Sequence, residues 1–163
     1  MPDSAAPARW PAYARVPPFL PVPVRARADG WTVERQGRFI GLLAETGCVA
    51  AAARGVGMSR VAAYKLRTRP EAESFAHAWD RVLALRAAAG ERAAMPTRKF
   101  THLEQGVAGM EGAITVTMRR GRFVRSERKL CVISLIRHVN RLDAKARRYG
   151  SRWLAEMDAE PAA

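Results

Sequence analysis

The stretch Val49–Arg69, VAAAARGVGMSRVAAYKLRTR, decides the fold. It reads as two short helices joined by a tight glycine turn. Ala52 and Ala53 are small enough to let a second helix cross closely over the first. Gly57 follows where a chain turning between helices needs positive φ, which glycine adopts without steric penalty. Ser59 is placed to cap the second helix, Arg60 to Arg67, through its hydroxyl. Within that helix Ala63 and Leu66 form the inward pair at i, i+3. Ser59, Arg60, Val61, Tyr64, Lys65 and Thr68 are left facing outward. A basic outer face with one aromatic suits a helix lying in the major groove of DNA. The expectation is a DNA-binding helix-turn-helix, set against the plainer reading of an Ala-rich hairpin whose basic face is only solvated.

The flanking sequence supplies what two short helices lack. Thr32 is a good N-cap, Glu34 is favourable in the first turn, and Phe39, Ile40 and Leu43 give one apolar face. Gly47 ends this helix after Thr46. Residues 31–69 therefore read as a trihelical unit. It holds seven Arg or Lys against Glu34 and Glu45, a balance of +5. Pro70 stops the third helix and opens a fourth, expected from Glu71 to about Met95, with Gly90 and Met95-Pro96 as its bend and stop. Phe75, Trp79, Val82 and Leu83 form its apolar stripe, and Phe75 with Trp79 is expected to close the trihelical unit from below.

Composition points the same way. The 163 residues suit one ordinary domain or a small domain with appendages, and 28 Lys and Arg against 15 Asp and Glu give +13. A pI near 11.2 favours a polyanionic partner. Most of the positive charge is arginine, which contacts phosphate and guanine edges in a planar, bidentate way. Cys48 and Cys131 match no ligand spacing and are expected as buried thiols in a reducing compartment. No metal, cofactor, secretion signal or membrane span is expected, and the chain is read as cytoplasmic.

Outside the trihelical unit the expectations are coarser. Residues 1–30 carry seven prolines and read as a disordered arm, with Trp10, Tyr13, Phe19 and Leu20 as docking anchors. Arg25 and Arg27 lie just ahead of the first helix, placed like an arm reaching a minor groove, against the plainer and favoured reading of a linker with incidental arginines. Residues 96–112 read as a linker, and His102 with Glu104 there matches no metal spacing. Ile114, Val116 and Met118 alternate with Thr115, Thr117 and Arg119, a strand signature. Arg120-Gly121 is a tight turn, and Phe123-Val124 begins the return strand. Arg119, Arg120, Arg122 and Arg125 would mark the hairpin tip, with Arg120 and Arg122 either a second backbone contact or, equally, part of an exposed basic turn that serves solubility. Ser126 is expected to cap a last helix, Glu127 to about Arg148, followed by a tail. Leu130, Val132, Ile133, Leu135, Ile136, Val139 and Leu142 make its apolar band too wide for a small core. That excess predicts a homo-oligomer through the C-terminal helix.

The run from Thr32 to Trp79 resembles the N-terminal helix-turn-helix of phage-derived small terminase subunits. In its first half the likeness rests on Thr32, Arg35, Gln36, Phe39, Ile40, Leu43, Ala44, Glu45, Thr46, Gly47 and Val49. Ala52, Ala53, Gly57, Ser59, Arg60, Tyr64, Arg67, Phe75, Ala78, Trp79 and Asp80 carry the second half. Cys48 departs from the Ser or Asn expected there as a cap. The resemblance implies a non-catalytic subunit that recognises packaging-start DNA, oligomerises and hands DNA to a large ATPase–nuclease subunit. On the residues themselves, the helix from Arg60 enters the groove. Arg60, Tyr64 and Lys65 reach base edges or flanking phosphates, and Arg67 with Arg69 contacts the backbone. The alternative use of the same fold is a transcriptional regulator. A DNA-processing enzyme finds no phosphate loop and no carboxylate cluster, and a purely structural protein would ignore duplexes altogether.

Overall fold

The computed structural model describes residues 15–25, 27, 29–88 and 98–158, and for 151–158 the backbone alone. The fold is mainly helical, with a small antiparallel hairpin and a long C-terminal helix.

Helix α1, Val33–Thr46, starts where the Thr32 hydroxyl accepts the Arg35 N–H at 3.2 Å. It stops at Gly47, whose φ of 68° lets its N–H return to the Leu43 carbonyl. Helices α2 (Val49–Gly55) and α3 (Arg60–Arg67) follow, then a 3-10 turn at Pro70–Ala72 and helix α4, Glu73–Ala87. Phe39 is the hub of this core. Its ring lies 5.5 Å from Trp31, 6.1 Å from Phe75 and 4.8 Å from Trp79, centre to centre. Phe75 and Trp79 thus close the trihelical unit. The helix expected to reach Met95 ends at Ala87, and residues 89–97, with Gly90 and Met95-Pro96, lie outside the described residues.

The reading of residues 1–30 as a disordered arm is corrected for its second half. Val16, Phe19 and Val22 are buried in the main core. The Phe19 and Ile114 backbones exchange both hydrogen bonds, at 3.2 and 2.7 Å. Gln36, fully buried on α1, uses its whole amide on one residue of this strap. Its Oε1 accepts the Val22 N–H at 2.8 Å, and its Nε2 donates to the Val22 carbonyl at 3.0 Å. Prolines between such contacts stiffen an extended strap rather than loosen it. Trp10 and Tyr13 lie outside the described residues.

Residues expected as a linker contain helix α5, His102–Met110. It opens with a capping box: the Thr101 hydroxyl accepts the Glu104 N–H, and the Glu104 carboxylate accepts the Thr101 N–H. Arg98 joins Glu104 at 2.9 Å and Glu73 of α4 at 2.9 Å, tying α5 to the trihelical unit. Burial pushes the Glu104 carboxyl up, but the Thr101 N–H and the Arg98 guanidinium outweigh it and hold the group below its usual range.

Strands β1 (Ala113–Arg119) and β2 (Arg122–Lys129) form the expected hairpin. Both turn residues have positive φ, Arg120 at 51° and Gly121 at 79°, the geometry of a type I′ turn. The register shifts between Thr117 and Met118, which leaves Val124 as the extra residue of a bulge on β2. The hairpin is part of the main core rather than an appendage of the last helix, because α1 is built to receive it. A Cβ on Gly37 would stand 2.6 Å from the Ser126 hydroxyl, and one on Gly41 would stand 2.1 Å from the Phe123 ring. Glu45 accepts the Phe123 N–H at 3.0 Å, fixing the start of β2 against α1.

Ser126 therefore caps no helix, since it pairs with Val116 inside β2. Helix α6 begins later than expected, at Val132, and runs past the expected end at Arg148 to Asp158, so residues 151–158 are not a tail. Its first turns pack under α5, where the Gly109 backbone meets Leu135 and Gly106 meets the His138 ring. From Val139 to Gly150 every residue is exposed. Both cysteines are free. Cys48 is exposed and Cys131 half-buried, which corrects the expectation of buried thiols. Cys48 makes no side-chain cap bond at the start of α2, and its own N–H is accepted by the Thr46 hydroxyl, which donates to the Leu42 carbonyl. No helix among the described residues is long and apolar enough to cross a membrane.

Candidate nucleic-acid interface

The turn between α2 and α3 is set by backbone chemistry alone. The Met58 N–H returns to the Ala53 carbonyl at 2.9 Å, and the Gly57 N–H to the Arg54 carbonyl at 3.0 Å. These are the paired bonds of a Schellman motif, with Gly57 as its left-handed residue at φ 73°. No heavy atom lies within 4 Å of a Cβ placed on Gly57, so conformation rather than space demands glycine there. Ala52, Ala53 and Ala63 are completely buried, and these methyl-sized side chains let α2 and α3 cross closely. Ser59 caps α3 by accepting the Ala62 N–H at 3.0 Å, so its hydroxyl oxygen is already engaged in positioning the helix.

Ala63 and Leu66 hold α3 from behind. Its outer face carries Arg60, Val61, Tyr64 and Lys65, all exposed, with Val61 at 59% and Tyr64 at 44%. Tyr64 is not free on both sides. Its ring rests against Trp79 at 5.4 Å, which braces it while the residue stays exposed. A phenol braced in this way loses little rotamer freedom when it touches a ligand.

Arg67 is already paired. Its Nη2 lies 2.7 and 2.9 Å from the two Asp80 carboxylate oxygens, and its guanidinium sits 5.7 Å over the Trp79 ring. Arg67, expected at the DNA backbone, here fastens the C-terminal end of α3 to α4. Arg69 is exposed and reaches the Pro23 carbonyl at 3.4 Å, linking the end of the helix-turn-helix to the strap. That strap carries exposed Arg25 and Arg27 just ahead of α1. Arg120 and Arg122 are exposed at the turn of the hairpin, which packs on α1.

The structure thus gathers Arg60, Val61, Tyr64 and Lys65 on one exposed surface, with Arg67 engaged by Asp80 and Trp79. Sequence reasoning missed the bracing of Tyr64 and the Arg67–Asp80 pair. Asp80 stands thirteen residues away, a spacing that signals no pairing until α4 is folded back. Among the described residues, no three His, Cys, Asp or Glu side chains are grouped to hold a metal ion. Comparison of the chain with protein-family models, curated proteins and solved structures gave no match. The resemblance carried by Thr32 to Trp79 therefore stands on those residues alone.

Proposed function

We propose that this chain binds double-stranded DNA, with α3 entering the major groove. The observation that carries the reading is the outward set on α3. Arg60 and Lys65 flank a Tyr64 braced by Trp79, on a helix positioned by a Schellman turn, a serine cap and a buried alanine crossing. Arg60, Tyr64 and Lys65 meet base edges or flanking phosphates, and Arg69 lies toward the backbone. Arg25 and Arg27 extend the contact from the strap, and Arg120 and Arg122 add a further one from the hairpin. The +13 balance supports association that is electrostatic before it is specific.

Several copies act together, joined through α6, because one short recognition helix reads few base pairs. On the resemblance of its first half, the chain serves as a packaging-recognition protein of the small terminase kind. It is non-enzymatic and works beside a large ATPase–nuclease subunit. The double variant Arg60→Ala with Lys65→Ala tests the interface. Loss of a base contact removes about 1–3 kcal/mol, so affinity for duplex should fall at least about tenfold. Circular dichroism should be unchanged, since both side chains are exposed. Undiminished affinity in a gel-shift assay would exclude α3 as the reading helix.

A further inference from the structure

Helix α6 carries a seam that nothing in the described chain covers. Val132, Ile136, Val139 and Leu142 are each more than half exposed, as is Tyr149 two turns on. From Val139 to Gly150 every residue of the helix is exposed. A solitary helix with large apolar groups in water is not a stable arrangement, because such helices draw their stability from tertiary packing.

The spacing identifies what covers it. Val132, Val139 and Ala146 recur every seven residues, and Leu135, Leu142 and Tyr149 recur at the same period three residues later. These are the a and d positions of a heptad, sustained as far as Trp153 in the sequence. Below His138, α5 covers the flank of α6 next to Leu135, so the open side there is Val132, Ile133, Ile136 and Val139. A seam of this kind is met by another of equal length and period, and a second copy of the chain supplies one.

Charge then sets the direction. In a parallel, in-register pair, the g position of one helix faces the following e position of the other. That places Lys145 across from Gly150, and Asp143 of the second copy across from His138, whose ring already lies against α5, so that no like charges are opposed. In an antiparallel pair overlapping over the full length of Val132–Asp158, the midpoint falls on Lys145, which would oppose its own copy. Arg137, Arg141 and Arg148 lie at f and c positions, away from the seam in either case.

We propose that α6 joins two or more copies of this chain as a parallel, in-register coiled coil along Val132, Val139, Leu142, Ala146 and Tyr149. The inference rests on the self-association part of the proposed function and is independent of DNA binding. Parallel pairing sets the helix-turn-helix units at one end of the stalk, so that one duplex meets more than one α3.

Cysteine cross-linking of the full chain tests it. In a background of Cys48→Ser and Cys131→Ser, Val132→Cys and Val139→Cys are made separately, with Ala144→Cys at an f position as control. All three sites lie on the exposed helix, so folding is unaffected. Mild oxidation should convert the bulk of each seam variant, and little of the control, into disulfide-linked dimer, since paired a positions lie within disulfide reach. An oligomer by sedimentation whose seam variants do not cross-link to themselves would overturn the parallel register and leave self-association standing. A monomer at tens of micromolar would overturn both, and a duplex-binding assay on the same sample reports on α3 separately.

Discussion

Replacing Phe39 by alanine should remove about 3–5 kcal/mol of folding stability, the range for deleting a fully buried aromatic ring. The size of the effect follows from the position of the ring. Phe39 is completely buried on α1 and touches Trp31, Phe75 and Trp79, while Phe75 in turn meets Phe19 of the strap edge-on at 5.7 Å. One ring therefore joins the strap, α1 and α4. The rings around it are too large to collapse into the space it vacates, so the cavity term adds to the lost transfer energy. Domains are stable by about 5–15 kcal/mol, so the variant should unfold at a much lower urea concentration, with its slope little changed. A midpoint close to that of the wild type would mean that Phe39 is not the hub. The recognition face would also weaken, because both the Tyr64 ring and the Arg67 guanidinium rest against Trp79.

Gln36→Leu should lower stability by about 2–4 kcal/mol, even though leucine is more apolar and similar in size. The buried amide satisfies both the N–H and the carbonyl of Val22. Leucine would leave both without partners, and an orphaned buried polar group costs about 1–3 kcal/mol. The loss should concentrate in the strap. Hydrogen exchange at the Val22 and Leu20 amides should accelerate, the second because its N–H depends on the Ser74 hydroxyl at 3.0 Å and on the strap staying seated. Cleavage by trypsin after Arg25 or Arg27 should become easier. Unchanged exchange at Val22 would show that the strap is held by Phe19 and Val16 without help from Gln36.

The two replacements mark the boundary of what the sequence makes legible. Helices α1 and α3 could be placed to the residue because their signals are local. Thr32 and Ser59 each cap the helix that starts at the next residue, and Gly47 and Gly57 supply the left-handed turns. The Arg120-Gly121 turn was legible for the same reason. The strap was not, since seven prolines suggest disorder, whereas Gln36 decides the matter from fourteen residues away. Pairing between strands decided the start of α6. Ser126 and Glu127 look like a helix start in isolation, but the facing Thr115 and Val116, and the notches at Gly37 and Gly41, hold them in β2.

Other differences had signals that were present but weak. Thr101 and Glu104 spell a capping box, obscured by three glycines that would ordinarily argue against a helix. Two of those, Gly106 and Gly109, are where α6 comes into contact with α5. Gly150 did not end α6, because a single helical glycine costs only about 1 kcal/mol against alanine. In the candidate interface, exposure of Arg60, Val61, Tyr64 and Lys65 followed from helical period alone. The reassignment of Arg67 needed Asp80 and Trp79 brought beside it by α4.

The most direct measurement of the central claim is a titration of the full chain into a labelled duplex oligonucleotide, beginning in dilute buffer and repeated at rising salt. Saturable binding is expected, with the logarithm of the affinity falling linearly with the logarithm of salt at a slope of about −0.9 for each phosphate neutralised. The Arg60→Ala, Lys65→Ala variant should bind more weakly at every salt concentration, with a shallower slope if either side chain contacts phosphate. A titration that stays flat in dilute buffer would contradict the claim that α3 presents its outer face to DNA.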